Sequence, residues 1–409
     1  MRCPDCGSPM KGKDCPYCGY GIITKEKDEG DNFIKNIRYI LVITMIISFT
    51  IYLIVSTAVM ILSTTHAYSY TTEGSEWFYM VLLLPIGIAK LSGLGLTVFY
   101  FLLIAAVIIS LAYLLYRSAD FLADVDFKDL KKKELSPKIM DQPLTRLALM
   151  FCVMTFLSYL YFILIGLAGT APTTPPIESE PFGKIVYVLT QASVWEEIMF
   201  RSLYFGVPMM IYGYSKNDPD AWKNLFGGFG TEDGPVLPLI LLSSFIFSIG
   251  HLGDGWDLFK FPQVFIGGLI FGYLFTKDGL YSCIIFHFAW DYTYIFGQIS
   301  PEVSAVVSIV ILAWMGIGVY FTYHYLKTGF GWLKNKKKKR KTYQEKEEEV
   351  DLLQNAGFIC SNCRSYKAVY TPEGKLKCKI CGNETELSTN DSFRKLKPGE
   401  TKRMWPPID

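Results

Sequence analysis

Three short segments of the sequence place ionisable side chains at helical spacing within long apolar runs. The first is VWEEIMFR, residues 194–201, which contains Glu196, Glu197 and Arg201. A charge near the centre of a bilayer costs about 2.5–3.5 kcal/mol, so ionisable residues at that depth are expected to serve a function. Glu197 and Arg201 stand four residues apart and share one face of a helix, where Arg201 can neutralise Glu197. Glu196 is turned from Glu197 by about 100° and faces a different neighbour.

The second and third segments each supply a histidine. FSIGH places His251 four residues after Phe247, and FHFAWD places Asp291 four residues after His287. Residues four apart on a helix share a face, so His287 and Asp291 project together. Each group alone is compatible with helix–helix hydrogen bonding or with a structural ion pair. Their presence on three apolar segments together favours a shared functional site.

These residue types suit hydrolysis by an activated water molecule. Glu196 can act as a general base that takes a proton from a water held between it and His251. His287 can donate a hydrogen bond to the oxyanion that forms when the water attacks a carbonyl carbon. No serine or cysteine stands in a nucleophile motif near these groups. The residues therefore predict amide hydrolysis within the membrane.

The three motifs resemble those of a known family. In this order, EExxxR from Glu196, FxxxH ending at His251 and HxxxD from His287 are similar to the motifs of the CAAX protease and bacteriocin-processing family. The resemblance covers about residues 140–326. That family is similar to the type II CAAX prenyl endopeptidases and consists of intramembrane glutamic peptidases. The resemblance implies a membrane-embedded glutamic endopeptidase whose candidate catalytic residues are Glu196, Glu197, Arg201, His251, His287 and Asp291.

The resemblance also implies a division of roles among these residues. Glu196 and His251 would activate the water, and His287 with residue 291 would form the oxyanion site. Prenyl-processing members typically have Asn where this chain has Asp291. Asp291 could donate a hydrogen bond only when protonated, and otherwise it would orient His287. The substrate is left open between a prenylated and a leader-type peptide at the membrane.

Two other functional classes remain compatible with the residues. In the first, His251, His287 and a carboxylate bind Zn²⁺ and form an intramembrane metallopeptidase, although the HExxH motif is absent. In the second, the polar cluster is structural and the chain is a non-catalytic membrane scaffold. The glutamic-peptidase interpretation needs no catalytic metal, so removal of metal discriminates it from the first alternative.

The composition shows which elements must position these residues. The chain has 409 residues, of which 51% are hydrophobic and 15% aromatic, and its net charge is +2. Such values predict a polytopic membrane protein and no nucleic-acid partner. A membrane helix needs about 20 residues. Eight spans are predicted, within the apolar runs 37–63, 79–116, 145–168, 183–212, 236–252, 262–276, 280–298 and 303–326.

Two of these runs call for a more detailed prediction. Lys90 and the GLG at 93–95 divide the run 79–116, so an interfacial or re-entrant piece is expected before a span near 95–116. The run 262–276 is short and glycine-rich, which suits a helix buried among others. Straight helices would place Glu196, His251 and His287 at different depths. If the three side chains meet, we expect either that the helices are irregular or tilted, or that the true limits of the spans differ from those predicted.

The charges of the loops predict the orientation of the chain. The segment before the first span, the loop 117–146 and the run KNKKKKRK (334–341) are rich in Lys and Arg, whereas the loops 64–78 and 169–183 have none. This alternation places both termini in the cytoplasm and the chain in the cell membrane as an integral protein. The run 334–341 either binds anionic lipid headgroups or, as we favour, anchors the topology.

Eight of the ten cysteines form paired CxxC clusters at the two ends of the chain. Four thiolates close a tetrahedral zinc site, so each cluster predicts a small zinc ribbon with a structural ion. The ribbons either bind a cytoplasmic protein partner or only organise the tails. The predicted ligands are Cys3, Cys6, Cys15 and Cys18 in the first ribbon, and Cys360, Cys363, Cys378 and Cys381 in the second.

The predicted fold is therefore an all-α polytopic membrane protein with a zinc ribbon at each cytoplasmic end. The predicted segments are an N-terminal ribbon (1–24), a linker (25–36), N-terminal membrane helices with a cytoplasmic loop (37–139), the catalytic membrane core (140–326), a basic then acidic linker helix (327–354), a C-terminal ribbon (355–387) and a disordered tail (388–409).

Overall fold

The fold is known from a computed structural model of the chain. It describes residues 29–81, 85–119, 137–170, 173, 179–230, 234–253, 255–355, 358–360, 362, 368–370, 375–386 and 393–395. The chain divides into two compact units, Met1–Thr322 and Tyr323–Asp409. The N-terminal ribbon predicted at 1–24, with its four cysteines, lies outside the described residues.

The first unit is helical apart from one β-hairpin. Its elements in chain order are α1 (Glu29–Leu62), α2 (Thr64–Glu73), β1 (Ser75–Val81), β2 (Pro85–Ser92), α3 (Leu94–Arg117), α4 (Pro137–Met140), α5 (Pro143–Leu167), α6 (Phe182–Glu197), a π-helical segment (Ile198–Gly206), α7 (Val207–Ser215), a 3₁₀ turn (Ala221–Phe226), α8 (Val236–Gly253), a second 3₁₀ turn (Leu258–Lys260), α9 (Phe261–Lys277), α10 (Leu280–Ile299) and the start of α11 (Pro301–Asn355).

Six helical segments in the described part of the chain are long and apolar enough to cross a membrane. They are Arg38–Leu62, Leu94–Arg117, Pro143–Leu167, Val236–Gly253, Leu258–Lys277 and Pro301–Thr328. The chain is thus an integral membrane protein of mainly helical structure, as predicted.

The predicted count of eight spans is not confirmed by these helices. The two predicted spans without a counterpart among the six are 183–212 and 280–298, which carry the ionisable motif residues other than His251. The first is interrupted, because α6 has 16 residues and gives way to the π-helical segment. The second corresponds to α10, which has 20 residues and includes His287 and Asp291. The crossing of the membrane by these two segments stays a prediction.

The piece before the second span, expected to be interfacial or re-entrant, is a β-hairpin. Strands β1 and β2 pair antiparallel, from Ser75 opposite Ser92 to Val81 opposite Pro85. Gly93 has a φ of +51°, a conformation that favours glycine, and α3 begins at the next residue. The division predicted within the run 79–116 is therefore present, with aromatic strand residues rather than a re-entrant helix before it.

Helix α10 lies at the centre of the packing. It packs against α6, α3 and α9, and most of its side chains are buried. The hydroxyl of Tyr52 on α1 donates to the carbonyl of Ala289, at 2.7 Å. Helices α8 and α9 approach closely, since a Cβ atom on Gly268 would lie 2.8 Å from the Cβ of Ser244. The glycine-rich run is thus buried among other helices, as predicted.

The second unit contains short strands. Strand β3 (Phe358–Cys360) pairs with β7 (Phe393–Lys395), and β4 (Ala368–Tyr370), β5 (Lys375–Cys378) and β6 (Glu384–Glu386) form an antiparallel sheet. Strand β7 falls within the tail predicted as disordered at 388–409, so part of that tail is a strand. The remainder of the tail lies outside the described residues.

Candidate active site

Glu197 and Arg201 form a fully buried ion pair at the junction of α6 and the π-helical segment. The Nε atom of Arg201 lies 3.2 Å from Oε2 of Glu197, and both side chains have no exposed surface. Arg201 Nη1 also donates to Oγ of Ser243 on α8, at 3.2 Å. The guanidinium lies 5.1 Å and 5.3 Å from the ring centres of Phe247 and Phe271. Arg201 therefore neutralises Glu197, as the spacing predicts, and attaches α6 to α8.

His287 connects this ion pair to α10. Its Nδ1 atom donates to Oε1 of Glu197 at 2.9 Å, because an ionised carboxylate oxygen only accepts hydrogen bonds. Its Nε2 atom lies 3.8 Å from Oε2 of Glu196 and 3.5 Å from Oδ2 of Asp291. The imidazole is thus surrounded by three carboxylates from two helices. Both predicted carboxylates of the EE pair face the same histidine, through its two different ring nitrogens.

His251 occupies the last turn of α8 with a defined tautomer. Its Nδ1 lies 3.0 Å from the carbonyl oxygen of Phe247, which can only accept, so Nδ1 carries the proton. The Nε2 atom of a neutral ring is then a hydrogen-bond acceptor. The Phe247 ring contacts the imidazole of His251 edge-on at 4.7 Å and lies 6.3 Å from that of His287. Phe247 therefore positions both histidines.

A cavity of about 400 Å³ adjoins these groups. Its wall contains His251, His287 and Asp291, and the rest of it is largely apolar and aromatic, from α5, α6, α8, α9 and α10. A cavity of this size and polarity can hold a short peptide segment or a comparable ligand. The two motif histidines therefore line one cavity.

The helix that bears Glu196 and Glu197 is irregular next to the candidate site. Nine residues after Glu197, Ile198–Gly206, are π-helical. π-Helical segments are rare in proteins, and those that occur are often at functional sites. The expectation that an irregular helix would be needed for Glu196 and His287 to meet is thus matched by the structure.

Several contacts of the site were not expected from the sequence. The spacing of the motifs did not specify that Glu197 would accept a hydrogen bond from His287, or that the Phe247 carbonyl and Ser243 would serve as partners. Lys260, in the cavity wall, was also not recognised. A signal for it exists, because it is an isolated cation between two apolar runs and close to Trp256.

The cysteines of the C-terminal unit form a second candidate site. The ligand atoms of Cys360, Cys378 and Cys381 lie within 4.8 Å of one another, and the Sγ atoms of Cys360 and Cys381 are 3.6 Å apart. In a tetrahedral zinc site, Zn–S bonds of about 2.3 Å place sulfurs about 3.8 Å apart, whereas a disulfide needs about 2.05 Å. The backbone N–H of Gly382 donates to the Cys378 carbonyl.

The three described thiols therefore fit three of the four ligand positions of a tetrahedral metal centre. The predicted fourth ligand, Cys363, lies outside the described residues. Strands β4 and β5 pair antiparallel on either side of residues 371–374, which lie outside the described residues. These three cysteines could hold a metal ion, and four-sulfur coordination would make that ion structural.

Comparison with known proteins gives one match. Residues 178–293 match the family model described as Rce1-like, type II CAAX prenyl endopeptidase Rce1-like. A search of curated proteins and a search of solved structures found no match. The matched segment includes all three motifs, from Glu196 to Asp291. This match supports assignment of the segment to the CAAX protease family, whose members are membrane proteases.

Proposed function

We propose that this chain is an intramembrane endopeptidase that hydrolyses a peptide bond with a water molecule activated by Glu196 and His251. The observation that carries the proposal is the contact of His287 with both glutamates, between helices separated by 90 residues in sequence. His287 lines a cavity whose wall also contains His251 and Asp291. Buried ionisable groups that converge beside a cavity are typical of catalytic sites.

In the first step, the water molecule attacks the carbonyl carbon of the peptide bond. The Nε2 atom of His251 accepts a hydrogen bond from the water and orients it, and Glu196 takes the proton that the water loses. The carbonyl oxygen becomes an oxyanion, to which a protonated His287 donates from Nε2. Glu197 holds His287 from the opposite nitrogen, so the donor is fixed before the charge develops.

In the second step, the tetrahedral intermediate collapses. The C–N bond breaks, and the leaving nitrogen takes a proton from the carboxylic acid of Glu196, which returns to its ionised form. Arg201 keeps Glu197 ionised throughout, so that Glu197 remains an acceptor for His287. Asp291, at 3.5 Å from Nε2 of His287, orients the imidazole in the free enzyme. The oxyanion replaces this contact in the reaction.

The substrate in this proposal is a peptide associated with the membrane, prenylated or of leader type. The terminal cysteine clusters hold structural zinc and stand apart from the chemistry. A cytoplasmic protein partner of these ribbons is compatible with the proposal, but the reaction does not require one.

The decisive variant is Glu196→Gln, which removes the base and preserves the size of the side chain. We expect it to abolish cleavage of a prenylated, internally quenched peptide by the purified protein in lipid vesicles. General-base catalysis typically contributes about 10²–10⁴-fold, so the loss is easily measured. The thermal unfolding midpoint should stay close to that of the parent.

The matched control is Glu180→Gln. Glu180 lies just before α6, and its partly exposed side chain pairs with Lys184 at 2.9 Å. This control should retain parental activity. Near-parental cleavage by the Glu196→Gln variant would refute the proposed water activation.

A further inference from the structure

Lys260 is a cation in the wall of the catalytic cavity. It ends the 3₁₀ turn Leu258–Lys260, which joins α8 to α9, and it lines the same cavity as His251 and His287. Its ammonium lies 4.2 Å from the ring centre of Trp256 and 5.6 Å from that of Phe162. These distances are typical of cation–π contacts, which direct the ammonium without neutralising its charge.

Lys260 forms no ion pair with any residue that the structure describes. Within those residues, no carboxylate oxygen lies within 4.0 Å of its Nζ atom. Asp291 is in the wall of the same cavity, beyond ion-pair distance from Lys260 and 3.5 Å from His287. A cation in such a position retains its capacity to bind an anion that enters the cavity.

The backbone before Lys260 is held in place by its neighbours. The Asp257 carboxylate accepts from the N–H of Phe259 at 3.0 Å. It also accepts from the N–H of Thr173 at 2.6 Å and from the hydroxyl of Thr173 at 3.0 Å. The hydroxyl of Tyr161 donates to the Phe259 carbonyl at 2.6 Å. These contacts fix the start of the 3₁₀ turn that carries Lys260.

We propose that Lys260 is a specificity-determining residue that binds a carboxylate of the substrate. This inference rests on the proposed function and identifies the substrate by its charge. A sphere of 400 Å³ is about 9 Å across, and an extended peptide advances about 3.3 Å per residue. The carboxylate therefore lies within about three residues of the bond that is cleaved. It is either the C-terminal carboxylate of the peptide or the side chain of an acidic residue.

The test uses three prenylated, internally quenched peptides of one sequence. The first ends in a free carboxylate, the second in an amide, and the third in an amide with Glu as its last residue. The full chain is compared with Lys260→Met, Lys260→Arg and a matched control, Lys223→Met. Lys223 is an exposed lysine whose ammonium also lies near a tryptophan ring, at 6.0 Å from that of Trp222.

We expect Lys260→Met to raise the KM for the free-acid peptide by about tenfold or more, since a charge-assisted hydrogen bond is lost. Its kcat should change little. The amide peptide should bind the parent weakly and should show no further rise in KM with the variant. Lys260→Arg should restore part of the preference, and Lys223→Met should behave as the parent.

The Glu-bearing amide identifies the source of the carboxylate. If it is cleaved as well as the free acid, the pocket accepts an acidic side chain, and if it behaves as the plain amide, the pocket requires a C-terminus. Both results support the role of Lys260. The role of Lys260 would be overturned if Lys260→Met changed the KM of the acid and amide peptides equally. It would also be overturned if the parent showed no preference for the acid peptide over the amide.

Binding of the same peptides separates this inference from the proposed function. The Glu196→Gln variant keeps Lys260, so fluorescence anisotropy with it measures the preference for a carboxylate without cleavage. If Lys260→Met removes this preference for the carboxylate, the result supports the role of Lys260. That conclusion holds even if the parent cleaves no peptide, a result that would refute only the proposed endopeptidase activity. Equal binding of acid and amide peptides would refute the role of Lys260 independently of activity.

Discussion

The membrane unit and the C-terminal unit each gather reactive side chains, but they do so over different distances in the sequence. In the membrane unit, His287 contacts Glu197 across 90 residues, through helices that must first pack together. In the C-terminal unit, Cys360 and Cys381 approach across 21 residues, through short strands and turns. The first site depends on the packing of the whole bundle, whereas a metal ion can assemble the second locally.

The two sites also differ in how they compensate buried charge. The carboxylate of Glu197 is neutralised by Arg201 and hydrogen-bonded by His287, all within the protein. The three thiols of the C-terminal cluster lie within 4.8 Å of one another, and a bound cation would compensate the charge of their thiolates. Removal of one partner should therefore destabilise the membrane unit as a whole, and removal of metal should affect the C-terminal unit.

The largest expected effect follows from Arg201→Ala. This variant leaves Glu197 as a buried carboxylate without its cation, which typically costs about 3–5 kcal/mol. The thermal unfolding midpoint in detergent or lipid should fall markedly. A double variant, Glu197→Gln with Arg201→Leu, should recover much of that stability and remain inactive.

Lys223→Ala is the control for this effect. It breaks the exposed Lys223–Asp220 pair, and such surface pairs contribute about 0–1 kcal/mol. An unfolding midpoint for Arg201→Ala that matches this control would show that the buried pair does not stabilise the bundle.

The contrast between the sites also explains how much could be predicted from the sequence. The pairing of Glu197 with Arg201, and of His287 with Asp291, follows from a spacing of four residues on one helix. The CxxC pattern predicts the thiol cluster of the C-terminal unit for a similar reason, since its contacts are local in the sequence. The family resemblance predicted from the motifs is supported by the match over residues 178–293.

Contacts between distant helices could not be predicted in this way. The same sequence allows Glu197 to meet any neighbour of α6, and only the packed bundle selects His287. The π-helical segment Ile198–Gly206 has no sequence signal in its residue types. The hairpin at 75–92 was hidden in an apolar run, because membrane helices and buried strands use the same aromatic and aliphatic residues.

A smaller and more local effect is expected from Cys378→Ser. This variant removes one thiolate from the C-terminal cluster, so zinc bound per chain should fall, as measured by elemental mass spectrometry of the purified protein. Peptide cleavage should continue, because the proposed reaction uses only residues of the membrane unit. An inactive variant with unchanged zinc would contradict the separation of the two sites.

The orientation of the two ends can be tested without loss of function. Single cysteines at positions 70 and 176 should react with an impermeant maleimide from outside the cell. Cysteines at 130 and 345 should react only after the membrane is opened, because the Lys- and Arg-rich segments are expected in the cytoplasm. Labelling of position 130 in intact cells would overturn the predicted topology of both termini.

The central claim is that Glu196 and His251 activate the water without a catalytic metal ion, and one measurement tests it directly. A chain of residues 33–345 retains the six segments that are long and apolar enough to cross a membrane. It lacks all eight ribbon cysteines, so chelation cannot act through the ribbons. We predict that its peptidase activity survives a strong chelator and does not rise when Zn²⁺ is added. A metallopeptidase needs the ion to activate the attacking water. Loss of activity under the chelator, restored by zinc, would make His251 and His287 metal ligands and contradict the account.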